Sequence, residues 1–86
     1  MRWHIEITRD ALKTLAKLDK PVRRRLQAAI DRLADQPRPA GVVALKDRPG
    51  LFRLRVGDWR VVYRIEDDRL VVIVVDLGRR REIYRR

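Results

Sequence analysis

Four arginines fall within the fifteen residues LFRLRVGDWRVVYRI, positions 51–65: Arg53, Arg55, Arg60 and Arg64. A guanidinium presents five N–H donors in a flat fork that grips phosphate or carboxylate oxygens two at a time, and it stays charged at physiological pH. Its chemistry is to bind, orient and neutralise an anion, while proton transfer has to come from another group. A second basic set closes the chain, where Gly78 is followed by Arg79, Arg80 and Arg81, and then by Tyr84, Arg85 and Arg86. A tyrosine among arginines suits a nucleobase that stacks while its phosphates are held. The plainer alternative is a ring packed on a sheet edge with its hydroxyl in water. The single histidine, His4, lies far upstream and reads as a surface residue.

Whether the first four arginines act together depends on strand register. Gly57-Asp58 is the strongest turn signal in the segment, and as the two central residues of a hairpin it sets Val56 opposite Trp59. Counting outward, Arg55 faces Arg60, Leu54 faces Val61, Arg53 faces Val62 and Phe52 faces Tyr63. Directly opposed residues share a side of the sheet. Phe52, Leu54, Val56, Trp59, Val61 and Tyr63 then form one apolar face, and Arg53, Arg55, Arg60 and Arg64 emerge together on the other. Like charges placed opposite each other oppose folding by some tenths of a kcal/mol per pair. A solvated face, with Asp58, Glu66 or Asp76 at hand to pair, would be the ordinary explanation. An array of one sign fits a surface that receives phosphate oxygens better.

The elements that must hold this hairpin follow from periodicity. Residues 2–8 alternate, with Trp3, Ile5 and Ile7 on one side, as a half-buried strand does. Thr8 is a cap for a helix over 9–18, with Leu12, Leu15, Ala16 and Leu18 at helical spacing. Pro21 fits the first turn of a second helix over 21–35, which buries Val22, Leu26, Ala29, Ile30 and Leu33 and carries Arg23, Arg24, Arg25 and Arg32 on its other face. Residues 36–41 form a loop, and 42–45 pair briefly or lie on the core. Strands over 51–56, 59–66 and 69–77 follow, joined by turns at 57–58 and 67–68. The fold class expected is α+β: an N-terminal strand, a helical hairpin and a three-stranded antiparallel meander, with the helices on one sheet face.

Composition agrees with a polyanionic partner. The chain has 86 residues, read as a single domain over 1–86, with 22 Lys and Arg against 12 Asp and Glu and a formal charge of +10. A merely soluble surface needs a net charge of only about 2 to 8, so the excess points to nucleic acid, an acidic protein or an anionic surface. Cysteine is absent, which excludes disulfides and thiolate metal sites. No cofactor or metal is called for. No signal peptide or membrane-spanning run is apparent, and a cytoplasmic setting is expected.

In order and length these segments resemble the RelE/ParE superfamily of toxins from type II toxin–antitoxin systems, on its RelE-like branch. The resemblance rests on DALKTLAKLDK, on ALKDRPGLFRLRVGDWRVVYRI with its Trp59-Arg60-Val61-Val62-Tyr63 motif, and on the ending Gly78-Arg79-Arg80-Arg81-Glu82-Ile83-Tyr84. It implies an endoribonuclease that cuts mRNA in the ribosomal A site by attack of a 2′-hydroxyl on the adjacent phosphate. It also implies a cognate antitoxin with an acidic toxin-binding segment, seated on the helix surface between residues 9 and 35, and contact with operator DNA only through the antitoxin complex. No membrane partner is implied. The catalytic positions of the family would fall on Arg53, Arg55, Arg60, Arg80 and Tyr84, with Arg64, Arg79, Arg81 and Arg85 as further RNA contacts. Two departures stand out: arginine replaces the lysines that well-known members carry at positions 53 and 55, and Arg79 stands where many relatives have histidine.

Those departures bear on proton transfer. Neutralising an arginine at pH 7 costs roughly 7–9 kcal/mol, and ionising an ordinary tyrosine roughly 4. The arginines are therefore expected to bind and neutralise the reacting phosphate, and Tyr84 to stack or take the proton. A ParE-like gyrase poison without nuclease activity is the rival within the superfamily, and a non-cleaving ribosome or RNA binder is the rival outside it.

Overall fold

The structure is a computed structural model that describes residues 2–79. Arg80, Arg81, Tyr84 and Arg85 lie outside the described residues. Strand β1 (His4–Ile7) leads into helix α1 (Arg9–Ala16) and helix α2 (Lys20–Arg32). Strands β2 (Val43–Ala44), β3 (Leu51–Val56), β4 (Trp59–Glu66) and β5 (Val71–Arg79) complete the order. The boundaries of β3 and β4 are those expected from the turn signals. Both helices stop short of the expected ends, and β5 starts and ends later.

The fold class is α+β, as expected, with more sheet than the meander alone. Five strands lie in the order β1-β5-β4-β3-β2. β1 runs parallel to β5, with Ile5 opposite Val72, and this fixes the place of a strand that the sequence alone leaves open. Val43 and Ala44 pair antiparallel with Arg53 and Phe52 at the other edge. Three residues, Asp67–Arg69, form a 3-10 turn between β4 and β5, and Leu70 follows it in the left-handed region at φ 53°.

The helices cover one face of the sheet. Ala11 and Leu15 of α1, and Leu26, Ile30 and Leu33 of α2 and its cap, pack on Val61, Tyr63, Val72, Val74 and Leu77. Trp3, Ile5, Ile7, Phe52, Leu54, Val56 and Trp59 surround this core. Leu12 lies outside it and is 53% exposed, because the buried stripe of α1 runs through Ala11 and Leu15. Tyr63 is fully buried, and its hydroxyl donates to the Pro37 carbonyl at 2.7 Å. The loop that carries Pro37 is further fastened by Arg38, which makes two bonds to Asp67 at 3.1 and 3.2 Å and stacks over Phe52.

Candidate active site on the arginine face

The β3–β4 register is the one derived from the turn: Arg55 faces Arg60, Leu54 faces Val61, Arg53 faces Val62 and Phe52 faces Tyr63. Gly57 makes the turn possible at φ 61°, since a glycine in the first central position suits the twist of a two-residue hairpin. Arg25 of α2 reaches the same tip, with Nη1 3.4 Å from where a Cβ on Gly57 would sit. Arg55 is tied to the tip as well, Nε donating to the Gly57 carbonyl at 3.3 Å.

Three of the four arginines come together. Arg53, Arg55 and Arg60 occupy adjacent positions beside the hairpin tip, on the sheet face away from the helices. Arg64 lies apart from them. It is opposite Leu51, and the buried pair Leu51 and Val62, with Leu45 and Val75 packed on it, forms an apolar patch on this face between it and the others. Arg60 is also more enclosed than the sequence suggests, at 5% exposure. It sits on the central strand β4 with strands on both sides, and its Nη1 donates to the Trp59 carbonyl at 3.2 Å. Arg53 is half-buried and Arg55 exposed.

β5 does not run evenly against β4. Tyr63 pairs with Val74 and Val62 with Asp76, so Val75 is an extra residue in the strand. A bulge of this kind reverses the side-chain parity of everything beyond it. In an even register Asp76 would face Val61 and point into the core, where an uncompensated carboxylate is strongly disfavoured. The bulge puts Leu77 there instead, at 2% exposure, and turns Asp76 onto the arginine face. One Asp76 oxygen accepts from the Leu77 N–H at 2.9 Å. Thr8 holds the bulge: its hydroxyl donates to the Val75 carbonyl at 3.3 Å and accepts from the Ala11 N–H at 3.3 Å, capping α1.

The same extra residue moves Arg79. It pairs with Trp59 on the helix side of the sheet, with its guanidinium 5.7 Å from the centre of the indole. The described part of the C-terminal basic set thus lies across the sheet from Arg60. None of Arg53, Arg60, Asp76 and Arg79 is without a partner. Glu6 and Glu66, at the far end of the arginine face, are engaged by Arg69 at 3.9 and 2.7 Å. His4 is exposed, 3.8 Å from Glu6 and remote from the hairpin tip.

Tyr63, although part of the Trp-Arg-x-x-Tyr motif, is on the opposite side from the arginines. Burial raises its phenol from 10.0 to about 12, with nearby Arg38 pulling it partly back. A groove of about 530 Å³ also opens on the helix side, lined by Leu33, Leu54 and Val56 with Arg32, Asp35 and Arg55 at its walls. Arg55 therefore borders both the groove and the arginine face. Among the described residues no helix is long and apolar enough to cross a membrane.

A helix pair on one face of a five-stranded mixed sheet, with a basic hairpin on the other, defines a small toxin fold of the RelE type. The chain belongs to the RelE/ParE superfamily of type II toxins, on its RelE-like branch: residues 5–84 match the family described as ParE toxin of type II toxin-antitoxin system, parDE. The chain is 30% identical to the mRNA interferase toxin RelE of Escherichia coli strain K12, with 98% of this chain and 92% of that protein covered. It is 31% identical to toxin RelE of Mycobacterium tuberculosis, over 96% of this chain and 87% of that one. Among solved structures, RelE in the archaeal RelE-RelB complex of Pyrococcus horikoshii superposes with a TM-score of 0.81 at 29% identity, covering 93% of this chain and 97% of that one.

Proposed function

We propose that this protein is an endoribonuclease that cleaves mRNA in the ribosomal A site and so arrests translation. The observation that carries the reading is the side-by-side placement of Arg53, Arg55 and Arg60 on one sheet face beside the hairpin tip. In the reaction the 2′-hydroxyl of one nucleotide attacks the phosphate that joins it to the next. The P–O5′ bond breaks and the departing oxygen takes a proton from solvent, leaving a 2′,3′-cyclic phosphate and a free 5′-hydroxyl. Charge builds on the non-bridging oxygens as five ligands crowd the phosphorus, and preorganised guanidinium groups stabilise that charge most where water is excluded. Arg60, held within the sheet, is the fixed donor; Arg55, exposed, is the one that meets incoming RNA first. Tyr84 takes the attacking hydroxyl's proton or stacks a base, and Arg80, Arg81 and Arg85 add to the phosphate grip.

A cognate antitoxin silences the protein. Support for this comes from a relative solved in complex with an antitoxin, the intact RelBE toxin-antitoxin complex of E. coli. An acidic segment seated on the helix side fits the groove beside Arg32 and Arg55.

The test uses purified protein, ribosomes and a defined message. Cleavage within A-site codons is expected, and Arg55→Ala should lower its rate on the order of a hundredfold, as loss of one preorganised transition-state donor does. Arg55 is exposed, so the variant should keep its fold. Intact message with blocked translation would make the protein a binder. Blocked DNA supercoiling would replace the reading with gyrase poisoning, which the ParE name of the matching family keeps in view.

A further inference from the structure

We infer that Arg25 is a further RNA-binding residue, which holds a backbone phosphate of the message at the hairpin tip, beside the phosphate that is cut; this rests on the reading above. Three arginines follow one another on α2, Arg23, Arg24 and Arg25, and all are exposed. Successive residues of a helix are turned by about 100°, so the three leave α2 in different directions. Arg25 is the one directed at the sheet. It stands next to the buried Leu26 and four residues before the buried Ala29, at the margin of the stripe that packs on the strands. Its guanidinium extends to the β3–β4 turn, where Nη1 comes within 3.4 Å of the place a Cβ on Gly57 would take.

Two cations from different elements thus meet at one turn. Arg55 comes to it from β3, with Nε donating to the Gly57 carbonyl, and Arg25 comes from the helix side. Like charges brought to one place repel, and the protein does not relieve the repulsion itself. Asp58 is the adjacent carboxylate in the turn, yet among the described residues neither it nor any other carboxylate forms an ion pair with Arg25 or Arg55. An anion brought to the tip does relieve it. A phosphate of single-stranded RNA suits the place, because guanidinium forks take phosphate oxygens in pairs. The tip also adjoins the positions of Arg53, Arg55 and Arg60, so a strand whose reacting phosphate lies on those residues brings a neighbouring phosphate to Arg25. Arg25 approaches from outside the arginine face and holds the message equally before and during cleavage. It is a binding residue and has no part in the bond-breaking step.

The experiment compares two adjacent cations. Binding is read with a labelled single-stranded oligoribonucleotide methylated at its 2′-hydroxyls, so that it cannot be cut, and cleavage by single turnover on programmed ribosomes. Arg25→Gln should weaken binding at least about fivefold and lessen the log–log salt slope by about 0.7, the value of one phosphate on a single strand. Arg24→Gln makes the same change in net charge one residue away and should weaken binding less than about twofold. Arg25→Lys should recover part of the affinity. On ribosomes, Arg25→Gln should raise the concentration needed for the half-maximal rate and leave the maximal rate within about threefold, the pattern of a contact made alike in ground and transition states. Equal losses from Arg24→Gln and Arg25→Gln would reduce Arg25 to general attraction, and parental affinity of the Arg25 variants would leave the tip to a protein partner; either result overturns the assignment. Arg25→Ala repeats the test should the glutamine variant fail to fold, and failure of both would make Arg25 a structural residue. A parental protein that binds RNA through Arg25 but leaves the message intact would defeat the nuclease reading alone, whereas cleavage with RNA affinity indifferent to Arg25 would defeat this assignment alone.

Discussion

Tyr63 offers the sharpest separation of architecture from chemistry, because it sits in the motif next to Arg60 yet faces the other way. Removing its hydroxyl in Tyr63→Phe deletes the 2.7 Å bond to the buried Pro37 carbonyl and leaves that carbonyl without its donor. Such a loss costs about 1–3 kcal/mol. For a chain of this size each kcal/mol lowers the melting temperature by about 4–8 °C. The sign reverses in alkali. An unfolded tyrosine ionises near pH 10, whereas folded Tyr63 keeps its proton until about 12. Stability that is present below pH 10 is therefore lost as pH rises through that window, by roughly 2–3 kcal/mol at its end. The phenylalanine variant has no such loss, so the gap between the two proteins should close by pH 11–12. Urea unfolding followed by the fluorescence of Trp3 and Trp59, at pH 7 and in steps above pH 9.5, measures both effects. At pH 7 the folded variant should cleave message at the parental rate. A variant of full stability that has lost cleavage would place Tyr63 in the chemistry and refute the architectural reading.

Two further outcomes are expected. Thr8→Val removes both the α1 cap and the donor to the Val75 carbonyl, and should cost about 1 kcal/mol in urea unfolding, the usual value of a lost cap; a variant of parental stability would refute the capping role. RNA affinity should drop with salt along a log–log slope of at least about −2, the value for three phosphates on a single strand, and Arg55→Ala should lessen that slope by about 0.7; an affinity indifferent to salt would remove phosphate grip as the main binding force.

The sequence made the hairpin legible because one turn signal, Gly57-Asp58, fixes every pairing in β3 and β4. It also revealed which helix residues form the core of α2, through the spacing of Leu26, Ala29, Ile30 and Leu33. It did not reveal the parity of β5. The run VVIVVDL is apolar on both faces apart from Asp76, so no alternation marks where the extra residue falls. That one unseen residue is what brings Asp76, one of the partners the sequence offered, onto the arginine face, and it sends Arg79 to Trp59 instead. Arg60's burial was hidden for a related reason. A central strand looks the same in sequence as an exposed one until its neighbours are known. The distance of Arg64 from the others follows from Leu51, whose place opposite it is set by the same hairpin register but whose burial depends on Leu45 and Val75.

The strand order has a consequence for how the molecule comes into being. β5, the last of the described strands to be synthesised, is inserted between β4 and the very first strand, β1. The hairpin of β3 and β4 joins near neighbours in sequence and forms quickly, whereas joining β1 to β5 closes a loop over nearly the whole described chain and is slow. A growing polypeptide thus presents its cations long before the acidic neighbour reaches them. Completion of the sheet is therefore a late event, and Asp76 joins arginines already set on the hairpin only when β5 is in place.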